Sequence, residues 1–205
     1  MLVKYKIIKP IFDLFISIFF LLICSPIYFI VFILIYIKLG SPVMFVQMRP
    51  GMHGKPFKMY KFRTMTNKTS ASGELLDDED RMTNIGTFLR KYSLDELPEF
   101  WNVIKGEMSL VGPRPLLLEY LPLYSKEQNK RHNVKPGITG WAQINGRNNL
   151  SWEEKLSMDV WYSSNYSFFL DIKILLLTVL RVVSARDITF KGMATTKKFN
   201  GHNDE

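Results

Sequence analysis

The stretch KYSLDELPEFWNVIKGEMSLVGPRP, residues 91–115, carries the residue types best suited to chemistry. Asp95 and Glu96 are adjacent acids between Leu94 and Leu97, and Arg114 stands between Pro113 and Pro115 after Gly112. A carboxylate can attack phosphorus and form an acyl phosphate. Attack on an already anionic phosphate requires neutralisation by a metal and by basic residues. An arginine in a stiff proline frame suits bidentate grip on phosphate. Lys61, Arg63, Arg90, Lys91 and Arg147 are further cations that could serve. A hard, oxygen-seeking Mg²⁺ held by one carboxylate and the substrate phosphate would complete such a site. A structural reading stands beside this one. Ser93-Leu94-Asp95-Glu96 fits a capping box, with Ser93 as N-cap and Glu96 reaching back, and acids in a first turn suit the helix dipole. Pro98 disfavours helical geometry at Leu97 and can itself mark a helix start.

Other familiar chemistry is missing from the sequence. Neither G-x-x-x-x-G-K-[ST] nor G-x-G-x-x-G occurs. His53, His132 and His202 are far apart, and with the single Cys24 they give no zinc-ligand spacing. The run Asp77-Asp78-Glu79-Asp80 reads most simply as a solvated face or helix start, with a metal site as the lesser alternative. One cysteine allows no internal disulfide, so nothing points to an oxidising compartment.

The elements around the acid pair follow from pattern. FKMYKFR, residues 57–63, partly alternates, as a strand or hairpin with a basic side does, within a turn-rich stretch over 39–65. Residues 66–81 read as a polar loop leading into a helix. Residues 83–105 read as helix with a break near Ser93, and 116–132 as helix interrupted at Pro122. Turn signals crowd 134–149. An amphipathic helix is expected over 151–165. A second apolar helix, over 167–183, carries Asp171, Lys173 and Arg181 and is too short in its clean run to span a bilayer. Trp161, Tyr162 and Tyr166 precede it, so it suits either an interfacial position or a buried core.

At the N-terminus, Ile11 to Ile37 is broken only by Asp13, Ser17, Ser25 and Pro26. The apolar run exceeds the roughly 7–15 residues of a signal-peptide core, so a retained membrane anchor is expected. As a straight helix, Leu14–Ile37 would be roughly 36 Å long, enough to cross the ~30 Å hydrocarbon layer. Ser25-Pro26 at its centre favours a bend instead. Both flanks are basic: Lys4, Lys6 and Lys9 before it, and Lys38, Arg49, Lys55, Lys58, Lys61 and Arg63 after it. Basic flanks belong on the cytoplasmic side. A re-entrant hairpin keeps both there, whereas a single span does not. The formal net charge of +8 calls for an anionic partner: nucleic acid, anionic lipid or a phosphorylated substrate.

The succession of QMRPGMHGKPFKMYKFRTM, SLDELPEFWNVIKGEMSLVGPRPLL, RHNVKPGITGWAQINGRN and TTKKFNG after an anchor with Ser25-Pro26 resembles the small monotopic phosphoglycosyl transferases of the bacterial sugar transferase family. These stretches cover nearly the whole chain, and several motifs in one order are far more specific than any alone. The resemblance implies an α+β, mainly helical protein. Residues 1–38 would form the re-entrant membrane helix hairpin. Residues 39–205 would form a small catalytic domain on the cytoplasmic face of the bacterial inner membrane, with interfacial amphipathic helices and a short β-hairpin. It implies transfer of a sugar-1-phosphate from a UDP-sugar to a polyprenyl phosphate, usually undecaprenyl phosphate, with release of UMP. Asp95 would be the nucleophile and a ligand of Mg²⁺. Glu96 would assist, as base for the acceptor phosphate. Arg114 would contact phosphate, with Lys61, Arg90 and Arg147 as further substrate-binding residues. Minimal members lean toward N-acetylated amino or diamino-deoxysugars.

Two other readings belong beside it. A membrane-tethered basic protein binding nucleic acid or anionic lipid would share the charge and the anchor. It would be expected to show a basic helix or an aromatic-basic motif, and neither is found. Transfer from a CDP-activated donor to a lipid alcohol is the enzymatic alternative, and the motif order argues against it.

Overall fold

The computed structural model describes residues 2–146, 150–184 and 198–201. Arg147 and the Thr195-Thr196-Lys197 part of the late motif lie outside the described residues.

The apolar run forms one helix, α1 (Leu2–Leu39), which continues through both Pro10 and Pro26. The expected pair of helices broken at Ser25-Pro26 is therefore a single helix here, and the reason is local. Pro26 has no N–H to give to the carbonyl four residues back, that of Leu22. Ser25 Oγ donates to that same Leu22 carbonyl at 2.8 Å. The orphaned acceptor is satisfied without interrupting the helix. One stripe of α1 packs on the rest of the protein: Tyr5, Lys9, Asp13, Ser17 and Phe20, then Tyr28, Val31 and Ile35. The steps of three and four residues place them on one helix face. Ile7, Phe15, Phe19, Leu22, Phe29 and Ile37 remain uncovered on the other faces.

Strands β1 (Met44–Pro50) and β2 (Pro56–Phe62) form the expected hairpin, antiparallel, with Met44 opposite Phe62 and Pro50 opposite Pro56. Alternation puts Phe57, Met59 and Lys61 on one side of β2. Phe57 and Met59 are buried there, so Lys61 faces the interior, while Lys58 is exposed. A polar segment leads to α2 (Asp78–Arg81) and α3 (Asn84–Lys91), the latter capped by Thr83 Oγ accepting from Gly86 N at 3.0 Å. The break expected near Ser93 is present. A short 3-10 turn over Leu94–Glu96 separates α3 from α4 (Glu99–Ile104).

Strand β3 (Ser109–Val111) then pairs in parallel with β4 (Gly137–Thr139), a two-stranded sheet that sequence pattern did not reveal. The long helix expected over 116–132 is instead two 3-10 stretches, Leu118–Leu123 and Gln128–Asn133, the first containing Pro122. Proline cannot donate into an α-helix, so the tighter turns take its place. Helices α5 (Trp141–Ile144), α6 (Trp152–Asn165) and α7 (Phe168–Ser184) complete the described chain. A capping box is present at α6. Ser151 Oγ accepts from Glu154 N at 3.2 Å, and Glu154 Oε2 accepts from Ser151 N at 2.8 Å.

The main core joins Phe57 and Met59 to Val103, Met108, Val111, Tyr162 and Ile174. A second cluster joins Val31 and Ile35 of α1 to Val43, Phe62, Leu89 and Leu97. Phe199 of the late motif packs with Tyr120 and Leu156. A polar network fastens the other end of α1. Asp171 of α7 accepts from Tyr5 OH at 2.6 Å, Lys9 Nζ at 2.5 Å and Tyr162 OH at 2.7 Å. Ser109 Oγ donates to Asp13 at 2.6 Å. Both ends of α1 are thus held by the same body of protein.

Candidate active site

Ser93 adopts φ 53°, ψ 25°, a left-handed conformation that costs a non-glycine residue free energy. Its side chain makes no capping bond. The capping box at the acid pair is therefore absent. The left-handed turn ends α3 and swings Asp95 and Glu96 toward β2 and the loop after β3.

Glu96 is held from two directions. Its Oε1 accepts from Lys61 Nζ at 2.8 Å and from Arg114 Nη2 at 2.8 Å. Burial alone would raise this carboxyl, but the Arg114 and Lys61 charges and their hydrogen bonds hold it well below the usual carboxylate range. Arg114 is in turn held charged, first by the Glu96 charge. Lys61 also lies 2.9 Å from Glu99 Oε1, three residues further along the helix face. The Glu99 side chain is 2% exposed, so this ion pair is buried. Burial, then the neighbouring Glu96, pushes Glu99 up to about 7 against the pull of Lys61. Lys61 is thus shared between Glu96 and Glu99. Burial alone would lower its ammonium, and the two glutamates reverse the effect.

Asp95 differs from its neighbour. It is 8% exposed, and among the described residues no hydrogen bond occupies its carboxylate. Burial and the charge of Glu96 raise it above the ordinary aspartate value, with Lys61, Arg90 and Arg114 pulling the other way. Arg90 comes from α3, where its Nε donates to Thr64 Oγ1 at 3.1 Å. The structure thus brings together Asp95, Glu96, Lys61, Arg90 and Arg114 from four separate segments. Arg147 is beyond the described residues.

Sequence reasoning missed three contributors. Glu99 is one; its signal was the three-residue spacing from Glu96. Arg49 of β1 is the second. Burial, then the nearby Arg114 charge, lowers it to about 10. The third is Asn102, fully buried, whose Nδ2 donates to Lys58 O at 2.6 Å and Glu107 Oε2 at 2.7 Å, while its Oδ1 accepts from Tyr60 N at 3.1 Å. It ties the open edge of β2 to α4 and so fixes Lys61 against the acids.

Among the described residues no group of three His, Cys, Asp or Glu could hold a metal. One open carboxylate, Asp95, faces a basic surround. That arrangement fits a hard cation shared between a single protein carboxylate and substrate phosphates, not an all-protein cage. An apolar groove of about 530 Å³ lies alongside, between α1 and α4, with Ser25, Tyr28, Phe32, Pro98 and Trp101 in its walls.

The model of a family described as bacterial sugar transferase matches residues 4–185. An uncharacterized sugar transferase, EpsL, of Bacillus subtilis is 55% identical over 198 residues, covering 97% of this chain and 98% of EpsL. An undecaprenyl-phosphate galactose phosphotransferase of Salmonella typhimurium is 38% identical over 202 residues, covering 89% of this chain and 41% of that protein. A UDP-glucose:undecaprenyl-phosphate glucose-1-phosphate transferase of Escherichia coli is 38% identical over 186 residues, covering 86% and 40%. The chain therefore matches EpsL along its length but spans under half of the other two relatives.

Proposed function

The chain belongs to the bacterial sugar transferase family, and from that premise we propose that it moves a sugar-1-phosphate from a UDP-sugar to undecaprenyl phosphate. The observation that carries the reading is the contrast within one dipeptide. Glu96 is gripped by Lys61 and Arg114, while Asp95 beside it keeps its carboxylate open among the same cations.

In this reading an Asp95 carboxylate oxygen attacks the β-phosphorus of the donor. The new O–P bond forms as the bond from that phosphorus to the bridging oxygen breaks. UMP departs with that oxygen and its electron pair. An oxygen of the acceptor phosphate then attacks the aspartyl-bound phosphorus, and Asp95 is released as a carboxylate. Asp95 is the residue that would hold Mg²⁺, which when bound would supply charge neutralisation at the phosphates. Lys61, Arg90 and Arg114 face the phosphates, and Arg147 joins them by the resemblance alone. Glu96, charged and doubly paired, is a poor proton acceptor. A phosphate monoester with a second pKa near 6 needs little help to ionise. We therefore assign Glu96 to positioning Lys61 and Arg114 rather than to general base catalysis.

The acceptor's isoprenoid tail suits the apolar groove that begins at Pro98, three residues past Asp95. The helix of residues 1–38 would sit in one leaflet and the domain of residues 39–205 on the cytoplasmic face. Support comes from the packing of α1. Tyr5 to Ile35 spans about 45 Å of helix, longer than a hydrocarbon layer, yet both ends contact one domain. Packing of both ends on one domain favours a helix that stays in one leaflet over one that crosses.

The donor panel covers glucose and galactose, which the names of the Salmonella and Escherichia relatives carry, and the N-acetylated aminosugars toward which minimal members lean. Purified protein is given Mg²⁺, undecaprenyl phosphate and UDP-sugars of all these kinds, and UMP is measured. Release from one donor is expected, with a loss of at least about 10³-fold in Asp95→Asn, the scale on which loss of a nucleophile registers. Release that persists in Asp95→Asn would remove the aspartyl intermediate. Absence of UMP from every donor, with strong salt-dependent nucleic-acid binding, would favour the tethered binding protein.

A further inference from the structure

Arg114 sits in a segment that cannot hold itself in the usual way. Pro113 and Pro115 have no N–H, so two backbone donors are missing around it. The segment is instead held by its acceptors. Pro113 O accepts from Gly137 N at 3.0 Å. Arg114 O accepts from Nη2 of Arg131 at 2.6 Å. Gly137 is required for the first contact, because a Cβ there would lie 2.0 Å from Gly112 N.

Arg131 is itself clamped. Its Nε and Nη2 both reach Asp159 Oδ2 of α6, at 3.1 and 2.6 Å. The side chains of Arg131 and Asp159 are 1% and 6% exposed. Taking two charges out of water is costly, and a buried pair of this kind is weak evidence for stability. Its geometry gives it a different use. One guanidinium bridges a helix and the carbonyl of the residue whose own guanidinium reaches Glu96. The chain of contacts runs from Asp159 to Arg131, to the Arg114 backbone, to the Arg114 side chain, to Glu96.

We propose that Arg131 and Asp159 are positioning residues that fix where the Arg114 guanidinium meets substrate phosphate. The inference rests on the phosphate-binding role given to Arg114 above. It predicts that Asp159 matters to phosphate binding only through Arg114. Asp159→Asn keeps the shape but removes the charge that orients the Arg131 fork. Arg131→Lys keeps the charge but removes the planar fork.

The test is a double-mutant cycle on the full-length protein. Inorganic pyrophosphate binding is measured by calorimetry, thermal unfolding is followed in parallel, and UMP release is assayed with the donor panel. Asp159→Asn should weaken pyrophosphate binding about 10-fold when Arg114 is present. In an Arg114→Ala background, where Lys61 and Arg90 still bind, the same change should cost less than about 2-fold. The melting temperature should fall by a similar amount in both backgrounds. A merely structural role predicts equal losses of binding in both, and that result would overturn the proposal. Binding by a folded Asp159→Asn that equals wild type would overturn it as well. Should Asp159→Asn not fold, Arg131→Lys takes its place in the cycle with the same expected pattern. Non-additive pyrophosphate binding in a protein that releases no UMP would keep the positioning role and discard the reaction, so the two failures are told apart.

Discussion

Asp95 and Glu96 are adjacent in sequence and opposite in state. Glu96 meets two cations at 2.8 Å, and their charges overcome its burial. Asp95 is buried without such bonds, so burial and the charge next to it prevail, and its carboxyl is raised. A nucleophilic carboxylate must be deprotonated, so activity falls as pH drops through the raised value. The acidic limb of the carboxyl titration of Asp95, followed by ¹³C NMR in Mg²⁺-free protein, should lie above the ordinary aspartate range near 4. Replacing Glu96 by Gln should lower that limb by removing the like charge, while slowing turnover because Lys61 and Arg114 lose their shared partner. A limb at the ordinary aspartate value in the wild-type protein would contradict the assignment. The fully buried Glu99 has no counterpart role in the reaction, but it shares Lys61 with Glu96 and so tunes the charge balance of the site.

At the scale of elements, the site depends on a hairpin edge. Strand β2 has β1 on one side. On the other, Tyr60 N and Lys58 O find no strand and bond instead to Asn102 of α4. Asn102 thus stands in for a strand and sets the register between Lys61 and the acid pair. Asn102→Leu is close in size but satisfies none of these groups. It should cost about 3 kcal/mol of stability, from buried backbone groups left without partners, read as a drop in denaturant midpoint. Activity in the fraction that remains folded should also fall, because Lys61 is no longer held against Glu96. Retained stability would show that water replaces the side chain at this edge. The left-handed Ser93 belongs to the same scale. It is the hinge between α3 and α4, and it turns what reads as a capping box into an acid pair directed at Lys61 and Arg114.

For the whole molecule, the question is how α1 relates to the domain and to a bilayer. Its uncovered faces carry large apolar residues, and its packed stripe runs from Tyr5 to Ile35. If α1 enters one leaflet and does not cross, cysteines placed at Lys6 and Lys38 should react with an impermeant reagent from the cytoplasmic side alone. Labelling of either from the outer side would exclude this arrangement. The hairpin and most helices were legible in the sequence because period and punctuation are local properties, whereas the β3–β4 pairing, with strands of three residues each, was not. The hairpin's alternation, the break near Ser93 and the amphipathic run over 151–165 all became the elements they resemble. The acid pair and Arg114 were legible as chemistry because their residue types are few and their frame is stiff. The stripe Lys9, Asp13 and Ser17 was also present as a four-residue period, but inside an apolar run it read as interruption rather than as a docking face. What tertiary structure alone decided is which charges meet. Lys61 and Glu96 are 35 residues apart, Arg131 and Asp159 are 28 apart, and Tyr5 and Asp171 are 166 apart. No periodicity relates such positions. Their pairing is set by which faces a packed core turns toward one another, and only burial makes those charges choose partners.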